Sequence, residues 1–200
     1  MATTIGILDS GVGGLSVLRE IRARLPGHPL VYLGDSAWCP YGNKPAADIR
    51  ARVSAHTDFL LAQGAGLVVI ACNSATIAAV EHLRATYPVP FVGMEPAVKP
   101  AAALTKSGVV GVLATEASLA GEKFHRLVDT HARDLRVITT PCPKFVALVE
   151  NGTLKGPEVD AAIREYTDPL LAVGTDVLVL GCTHYPFLRE AIQQLVGPDI

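Results

Sequence analysis

Residues 57–72 read TDFLLAQGAGLVVIAC, and residues 167–182 read TDPLLAVGTDVLVLGC. The two stretches lie 110 positions apart, and 8 of their 16 positions are identical. Each contains a helix end, a glycine, an apolar run of strand length and a final cysteine. Strand and helix patterns recur in any α/β protein, but all four features in one register rarely coincide by chance. The repeat therefore predicts a chain with two similar halves.

The rest of each half agrees with this repeat. Residues 4–8 (TIGIL) resemble residues 109–113 (VVGVL), at an offset of 105 positions. Short apolar runs alternate with helix-period segments, which indicates a doubly wound α/β fold. Because the runs carry almost no polar residues, they are typical of parallel strands covered on both faces. The predicted strands are 4–8, 30–33, 67–71, 90–92, 109–113, 135–138 and 177–180, and the predicted helices are 14–25, 46–62, 75–86, 97–105, 118–128, 143–150, 158–173 and 186–195.

We therefore expect two similar α/β domains with mainly parallel sheets, related by internal pseudo-symmetry, with the active site between them. The first domain is predicted over residues 1–95 and the second over residues 96–200. The counterpart of the strand at 90–92 would begin at Ile200. We therefore expect a strand to begin at Ile200, and a sheet that lacks a strand exposes an edge.

Composition narrows the class of protein. Half of the 200 residues are apolar and 18% are charged, which suits a well-buried core and argues against disorder. The net charge is −2 and the 17 Lys and Arg are scattered, so no nucleic-acid partner is expected. No apolar run approaches the roughly 20 residues that span a bilayer, and residues 1–11 do not form a signal peptide. We expect a cytoplasmic protein without a membrane partner, whose four cysteines are reduced.

Polar clusters follow four of the predicted strands. In open α/β sheets, ligands bind beyond the carboxyl ends of the strands. The clusters are Asp9-Ser10-Gly11, Cys72-Asn73-Ser74-Ala75-Thr76, Thr115 with Ser118, and Cys182-Thr183-His184. Both cysteines lie between a strand and a helix start, where backbone N–H groups and the helix dipole stabilise a thiolate and bind carboxylates. These clusters are therefore the candidate site.

Two equivalent thiols indicate a symmetric reaction. Racemisation of an amino acid needs one base that removes the α-proton and one acid that returns a proton from the opposite face, and the roles exchange in the reverse direction. A cysteine serves as either partner because its pKa of about 8.5 is readily tuned. Asp9 beside Cys72 and His184 beside Cys182 are placed to orient or deprotonate them. We expect neither a cofactor nor a metal, so the carbanion must be stabilised by surrounding donors and by exclusion of water.

Each candidate site residue also has a simpler, non-catalytic interpretation. A lone cysteine after a strand is most often a small core residue, whereas two in register favour chemistry. Asp9 and Ser10 equally suit a turn and helix cap, and His184 equally suits a packed or capping role. The loop at 11–14 lacks the last glycine of a dinucleotide fingerprint, because position 16 is Ser16. Cys39 and Cys142 have no partner in the repeat and are predicted to be structural.

These clusters, with several shorter motifs, resemble the glutamate racemase family of the cofactor-independent aspartate/glutamate racemases. The further motifs are Pro40-Tyr41-Gly42, Glu95-Pro96-Ala97, Pro141-Cys142-Pro143, residues 148–152 (LVENG) and residues 181–186 (GCTHYP). The resemblance implies that Cys72 and Cys182 are the catalytic acid and base, assisted by Asp9, His184 and Glu150. It implies that the charged groups of the substrate are held by Ser10, Pro40, Tyr41, Gly42, Asn73, Ser74, Thr76, Thr115, Ser118 and Thr183.

The resemblance also implies free glutamate as substrate, action without pyridoxal phosphate, a homodimer, and supply of D-glutamate for peptidoglycan in the cytoplasm. It further implies that a C-terminal segment completes the first domain and that the extreme C-terminus returns toward that domain. Residue chemistry alone leaves aspartate or another acidic amino acid open. A non-catalytic protein, either a truncated fragment or a regulatory binder, is the alternative from a different class. Family members usually carry a second threonine, a serine and a tyrosine after the motif at 114–115, where this chain has Ser118, Gly121 and Phe124.

Overall fold

A computed structural model describes residues 2–200, and the chain divides into two compact units, one ending at Met94 and the other running from Glu95 to Ile200. The first contains β1 (Thr4–Asp9), α1 (Leu15–Arg24), β2 (Leu30–Gly34), α2 (Ala46–Ala62), β3 (Ala65–Ile70), α3 (Asn73–Thr86) and β4 (Phe91–Gly93). The second contains α4 (Val98–Leu104), β5 (Val109–Ala114), α5 (Glu116–Ala120), α6 (Glu122–His131), β6 (Arg136–Pro141), α7 (Pro143–Glu150), α8 (Pro157–Leu171), β7 (Val177–Leu180) and α9 (Arg189–Val196).

Each unit has its own parallel sheet. The strand order is β2-β1-β3-β4 in the first and β6-β5-β7 in the second. In both, the first strand of the unit lies in the centre, the second strand lies on one side and the third on the other. The prediction of two similar parallel-sheet α/β domains is therefore confirmed.

A glycine in each central strand shows how closely the halves agree. A Cβ on Gly6 would lie 3.2 Å from the Leu60 side chain and 3.0 Å from the Cβ of Ala65. A Cβ on Gly111 would lie 2.9 Å from the Leu170 side chain. Leu60 of α2 and Leu170 of α8 are 110 positions apart and are therefore equivalent in the repeat. Equivalent helices thus pack against equivalent glycines in the two units. Glycine is needed there for this close approach of helix and strand.

Both faces of the first sheet are covered by helices. Ile5 and Ile7 belong to a core cluster with Leu18 of α1. Leu8 belongs to a second cluster with Val53 of α2, which also includes side chains of α3. Because successive side chains of a strand point to opposite faces, α1 covers one face and α2 with α3 covers the other, as in a doubly wound fold.

Two predicted helices were wrong in detail. The helix predicted at 118–128 is two helices, α5 and α6, because Gly121 has an extended backbone (ψ 134°) where one ends and the other begins. The helix predicted at 186–195 starts with a 3₁₀ turn at Tyr185–Leu188, with Pro186 in that turn, before α9 begins. Further 3₁₀ turns, at Ser36–Trp38 and Tyr41–Asn43, were not predicted. Within residues 2–200, none of the helices has the length and apolar character needed to span a membrane.

Candidate active site

Cys72 lies between β3 and α3, as predicted. It is the N-cap of α3, and its Sγ accepts a hydrogen bond from the Ala75 N–H at 3.4 Å. The side chain is 5% exposed. Burial is the largest cause that raises the pKa of this thiol, to about 12, and the nearby charge of Asp9 is the second. Hydrogen bonds from Ala75, Ser10 and Ser74 lower the pKa by a smaller amount. Cys72 therefore rests as a neutral thiol, and its thiolate is a strong base.

The structure brings Asp9 and Ser10 to the same edge of the sheet as Cys72. β1 and β3 are hydrogen-bonded neighbours, and the Ala71 N–H donates to the Leu8 carbonyl at 2.9 Å. Asp9 is 1% exposed, and one of its oxygens accepts a hydrogen bond from the Gly11 N–H at 3.0 Å. The carboxylate thus has a fixed position at the start of a turn, next to the thiol.

Three predicted binding residues, Asn73, Ser74 and Thr76, lie in the first turn of α3 and are buried. The hydroxyl of Thr76 donates to the Ile70 carbonyl at 3.2 Å and accepts from the Met94 N–H at 3.0 Å. Thr76 therefore ties the ends of β3 and β4 together. This bracing holds the backbone around Cys72 in place.

The segment from Pro40 to Gly42 enters a 3₁₀ turn at Tyr41–Asn43. Tyr41 is 1% exposed, and its hydroxyl donates to the Asp35 carboxylate at 2.8 Å. Burial and this hydrogen bond raise the pKa of Tyr41 well above its usual range. The hydroxyl proton of Tyr41 is therefore bonded to Asp35 within the protein, which fixes the position of this turn.

Sequence reasoning missed the network around Asp35. Arg52 of α2 forms two hydrogen bonds with this carboxylate, one of them at 2.7 Å, and lies over the Trp38 ring at 5.1 Å. His56 Nε2 lies 3.9 Å from the same carboxylate. Burial acts to raise the pKa of Asp35, but the bonds from Arg52 and Tyr41 outweigh it and hold the pKa below 3.8. Asp35 directly follows β2, so the rule that singled out Asp9 would have found it.

In the second unit, Cys182, His184 and Glu150 form a hydrogen-bonded chain. His184 Nδ1 lies 3.6 Å from Cys182 Sγ, and His184 Nε2 lies 2.5 Å from an oxygen of Glu150. An ionised carboxylate only accepts hydrogen bonds, so the neutral tautomer of His184 that fits both contacts donates from Nε2 to Glu150 and presents the lone pair of Nδ1 to the thiol. Cys182 and His184 are 7% and 1% exposed. The arrangement allows the imidazole to take the thiol proton.

Thr115, Ser118 and Thr183 lie at the same sheet edge as Cys182. The Gly181 N–H donates to the Leu113 carbonyl at 2.7 Å, which repeats the bond between Ala71 and Leu8 in the first unit. The Thr115 hydroxyl donates to Ser118 Oγ at 2.9 Å and accepts from the Ser118 N–H at 3.2 Å, so it caps α5. Thr183 is buried beside the cysteine.

The two units share their strand arrangement and the cysteine, but they differ in the ionisable residue beside that cysteine. At the offset of 105 that aligns the central strands, the counterpart of Asp9 is Ala114. The second unit instead places the imidazole of His184 beside its cysteine.

Cys142 follows β6, and its N–H donates to the Ala114 carbonyl at 3.1 Å, so it lies at the same edge of the second sheet as Thr115. Its side chain is fully buried, and its thiol donates to the Thr140 carbonyl at 3.2 Å. Burial raises its pKa well above the usual range.

Residues 7–200 match the family described as Asp/Glu/Hydantoin racemase. The chain belongs to this family. A glutamate racemase of Ectopseudomonas mendocina is 57% identical over 196 residues, which are 98% of this chain and 74% of that protein. The expected resemblance to the glutamate racemases is confirmed, and the chain is an amino-acid racemase.

Solved structures of family members show the same fold. Escherichia coli glutamate racemase, in complex with L-glutamate and the activator UDP-MurNAc-ala, superposes with a TM-score of 0.91 at 36% identity and covers 100% of this chain and 76% of its own. Glutamate racemase from Francisella tularensis, in complex with D-glutamate, superposes with a TM-score of 0.82 at 30% identity and covers 96% and 73%.

Proposed function

We propose that the chain interconverts L- and D-glutamate, with Cys72 and Cys182 as paired acid and base and without a cofactor. The observation that carries this proposal is the equivalence of the two thiols. Each follows the third strand of its unit, next to the central strand, and each has an ionisable neighbour, Asp9 or His184. Relatives named glutamate racemase, with structures that hold L-glutamate or D-glutamate, support this substrate.

In one direction the thiolate of Cys182 removes the α-proton. The α C–H bond breaks, an S–H bond forms on Cys182, and the electron pair stays on the α-carbon. The S–H bond of Cys72 then breaks, and its proton forms the new C–H bond on the opposite face. The reverse reaction starts with the thiolate of Cys72 and the thiol of Cys182.

The two thiols reach their reactive forms in different ways. His184 accepts the proton of Cys182 through Nδ1, while Glu150 stabilises the imidazolium that results. The ionisable neighbour of Cys72 is Asp9, and the raised pKa of the thiol keeps it protonated as the acid. In the reverse direction that same burial makes its thiolate a strong base toward the weakly acidic α-proton.

Donors around the thiols are proposed to hold the charged groups of glutamate. Asn73 and Ser74 begin α3, where backbone N–H groups and the helix dipole favour a carboxylate. Fixed donors stabilise the carbanion better than water does, because they need no reorganisation during the reaction. The other proposed contacts come from Ser10, the Pro40-Tyr41-Gly42 turn, Thr76, Thr115, Ser118 and Thr183.

We further propose that the enzyme works as a homodimer in the cytoplasm and supplies D-glutamate for peptidoglycan. This part rests on the family resemblance.

Aspartate is the rival substrate, because the side-chain chemistry of the site suits any acidic amino acid. A structure described as an aspartate racemase homologue, from Pyrococcus horikoshii, is only 18% identical to this chain and shares the fold alone.

Single alanine substitutions test the proposal. We expect Cys72→Ala and Cys182→Ala each to abolish racemisation of both enantiomers, as measured by circular dichroism, because each thiol acts in both directions. Cys142→Ala is the control and is expected to retain activity, since the thiol donates to the Thr140 carbonyl and alanine keeps the backbone carbonyl that accepts a hydrogen bond from Tyr185. Full activity in either single variant would overturn the two-thiol scheme, and turnover of aspartate but not glutamate would replace the substrate. A clear gain on addition of pyridoxal phosphate would overturn the cofactor-free reaction.

A further inference from the structure

His184 and Tyr185 are consecutive residues, yet they contact opposite ends of one helix. His184 Nε2 lies 2.5 Å from Glu150, the last residue of α7. The hydroxyl of Tyr185 donates to the carbonyl of Cys142 at 3.1 Å, and Cys142 is the residue that precedes α7. The helix that carries Glu150 is therefore attached at both ends to the segment that follows Cys182.

This segment is itself a tight turn. The Tyr185 N–H donates to the Cys182 carbonyl at 3.1 Å, and the Phe187 N–H donates to the His184 carbonyl at 3.1 Å. Cys182, His184 and Tyr185 therefore project their side chains from one hydrogen-bonded turn of the backbone. A shift of α7 relative to this turn would change the distance from Glu150 to His184.

The Tyr185 side chain is buried, so its hydroxyl depends on the hydrogen bond to the Cys142 carbonyl. The side chain is 0% exposed, and its ring packs edge-on against Phe145 of α7, with centroids 5.2 Å apart. A buried hydroxyl must find a partner within the protein, because no water can replace it without cost. Ring packing holds α7 against the turn, whereas the hydroxyl fixes where along its axis the helix sits.

We propose that Tyr185 is a positioning residue that, through the Cys142 carbonyl, holds α7 so that Glu150 stays on His184 and His184 stays ready to accept the Cys182 proton. The inference rests on the proposed function and deepens it. It assigns the hydroxyl of Tyr185 to the Cys182 half of the reaction, and it assigns the ring to packing.

Tyr166 provides a matched control. Its ring also packs edge-on against Phe145, with centroids 5.1 Å apart, and its hydroxyl accepts a hydrogen bond from the Lys144 N–H at 3.4 Å. It therefore contacts the same end of α7 and belongs to the same aromatic cluster. It projects from α8, however, and has no backbone link to His184. Tyr185→Phe and Tyr166→Phe remove the same atom from the same cluster.

The experiment compares both variants in the whole protein. For Tyr185→Phe we expect kcat with glutamate to fall about tenfold or more, since a misplacement of about 1 Å in a catalytic group can cost about 100-fold, while KM changes little. Tyr166→Phe should stay near the wild-type kcat. Circular dichroism and the thermal midpoint will show that both variants are folded.

Two readouts separate positioning from a loss of folded enzyme. With α-deuterated substrates, the primary isotope effect in Tyr185→Phe should rise for the enantiomer that Cys182 deprotonates and should not rise for the other. Fewer active molecules would leave both isotope effects unchanged. The low-field proton NMR signal of His184 Nε2–H, identified by its loss in His184→Gln, should weaken in Tyr185→Phe and persist in Tyr166→Phe.

The possible failures are distinct. A wild-type protein that does not racemise glutamate overturns the proposed function and, with it, this inference. If the wild type is active, the inference alone is overturned when Tyr185→Phe keeps its kcat, both isotope effects and the NMR signal. Equal losses in Tyr185→Phe and Tyr166→Phe also overturn it, because they would show a general loosening of α7.

Discussion

Glu150 lies 2.5 Å from Nε2 of His184, although the two residues are 34 positions apart in the chain. The carboxylate fixes the imidazole so that Nδ1 faces the thiol of Cys182. In the proposed mechanism, the carboxylate stabilises both the tautomer of the ring and the positive charge that the ring gains from the thiol proton. Within that mechanism, this pair determines how readily Cys182 loses its proton.

The first prediction concerns this carboxylate. Glu150→Gln keeps the shape of the side chain but removes its charge, so we expect kcat to fall by about 100-fold, within the range that general acid–base assistance contributes. Steady-state racemisation with both enantiomers will measure it. Glu158→Gln, on the exposed surface of α8, is the control and should match the wild type. An unchanged kcat in Glu150→Gln would remove Glu150 from the mechanism.

The second prediction concerns Asp9 and the Cys72 thiol. After burial, the charge of Asp9 is the next largest cause of the raised Cys72 pKa. Asp9→Asn should therefore lower that pKa, and the thiolate should form at lower pH. Alkylation rates of Cys72 as a function of pH, followed by mass spectrometry, will measure the shift, with the exposed Asp48→Asn as control. An unchanged profile would show that the two groups do not interact.

The third prediction concerns the Asp35 network. Asp35→Asn leaves Arg52 and Tyr41 without a charged acceptor, so we expect a loss of about 1–3 kcal/mol in the free energy of unfolding. Because Tyr41 belongs to the proposed binding turn, KM for glutamate should also rise. Urea denaturation and steady-state kinetics will measure the two effects.

A surface pair offers the control for this variant. Tyr87 donates to Asp58 at 2.8 Å in an exposed position, so Asp58→Asn removes a similar tyrosine–carboxylate bond. Its cost should stay within about 0.5 kcal/mol, as is usual for surface substitutions. Equal costs for the two variants would show that the Asp35 network adds no more than an ordinary surface contact.

The fourth prediction concerns alkaline stability. The folded state raises the pKa of Cys72 from 9.0 to about 12, so folding favours its neutral form. The resulting stabilisation is complete below about pH 9 and is lost as the pH rises toward about 12. Thermal midpoints of the wild type should fall over this range, and those of Cys72→Ala should fall less. Equal decreases would contradict the assignment to Cys72.

The sequence predicted the parts of the fold and site that depend on local pattern. The repeat placed Cys72 and Cys182 at the carboxyl ends of equivalent strands, and the rule for open sheets placed Asp9 and Thr115 beside them. Helix boundaries were less certain: Gly121 interrupts a helical pattern because its backbone is extended, and periodicity does not show this.

Contacts between segments that are distant in the chain could not be predicted from residue type and spacing. Glu150 was tied to the site only through the family resemblance, because a hydrogen bond across 34 positions has no signature in spacing. Arg52 is 17 positions from Asp35, and their pairing depends on how α2 packs beside the loop after β2. Neither could be read from residue type alone.

The most direct test of the two-thiol reaction is solvent exchange. L-Glutamate and, separately, D-glutamate are incubated with the enzyme in D₂O without a cofactor, and both enantiomers are analysed by proton NMR and chiral separation at early times. Because one thiol removes the proton and the other delivers a solvent-derived deuteron, the product should carry α-deuterium while the recovered substrate keeps its α-proton. A product that retains the original proton would indicate a single base and contradict the account, as would the absence of any product.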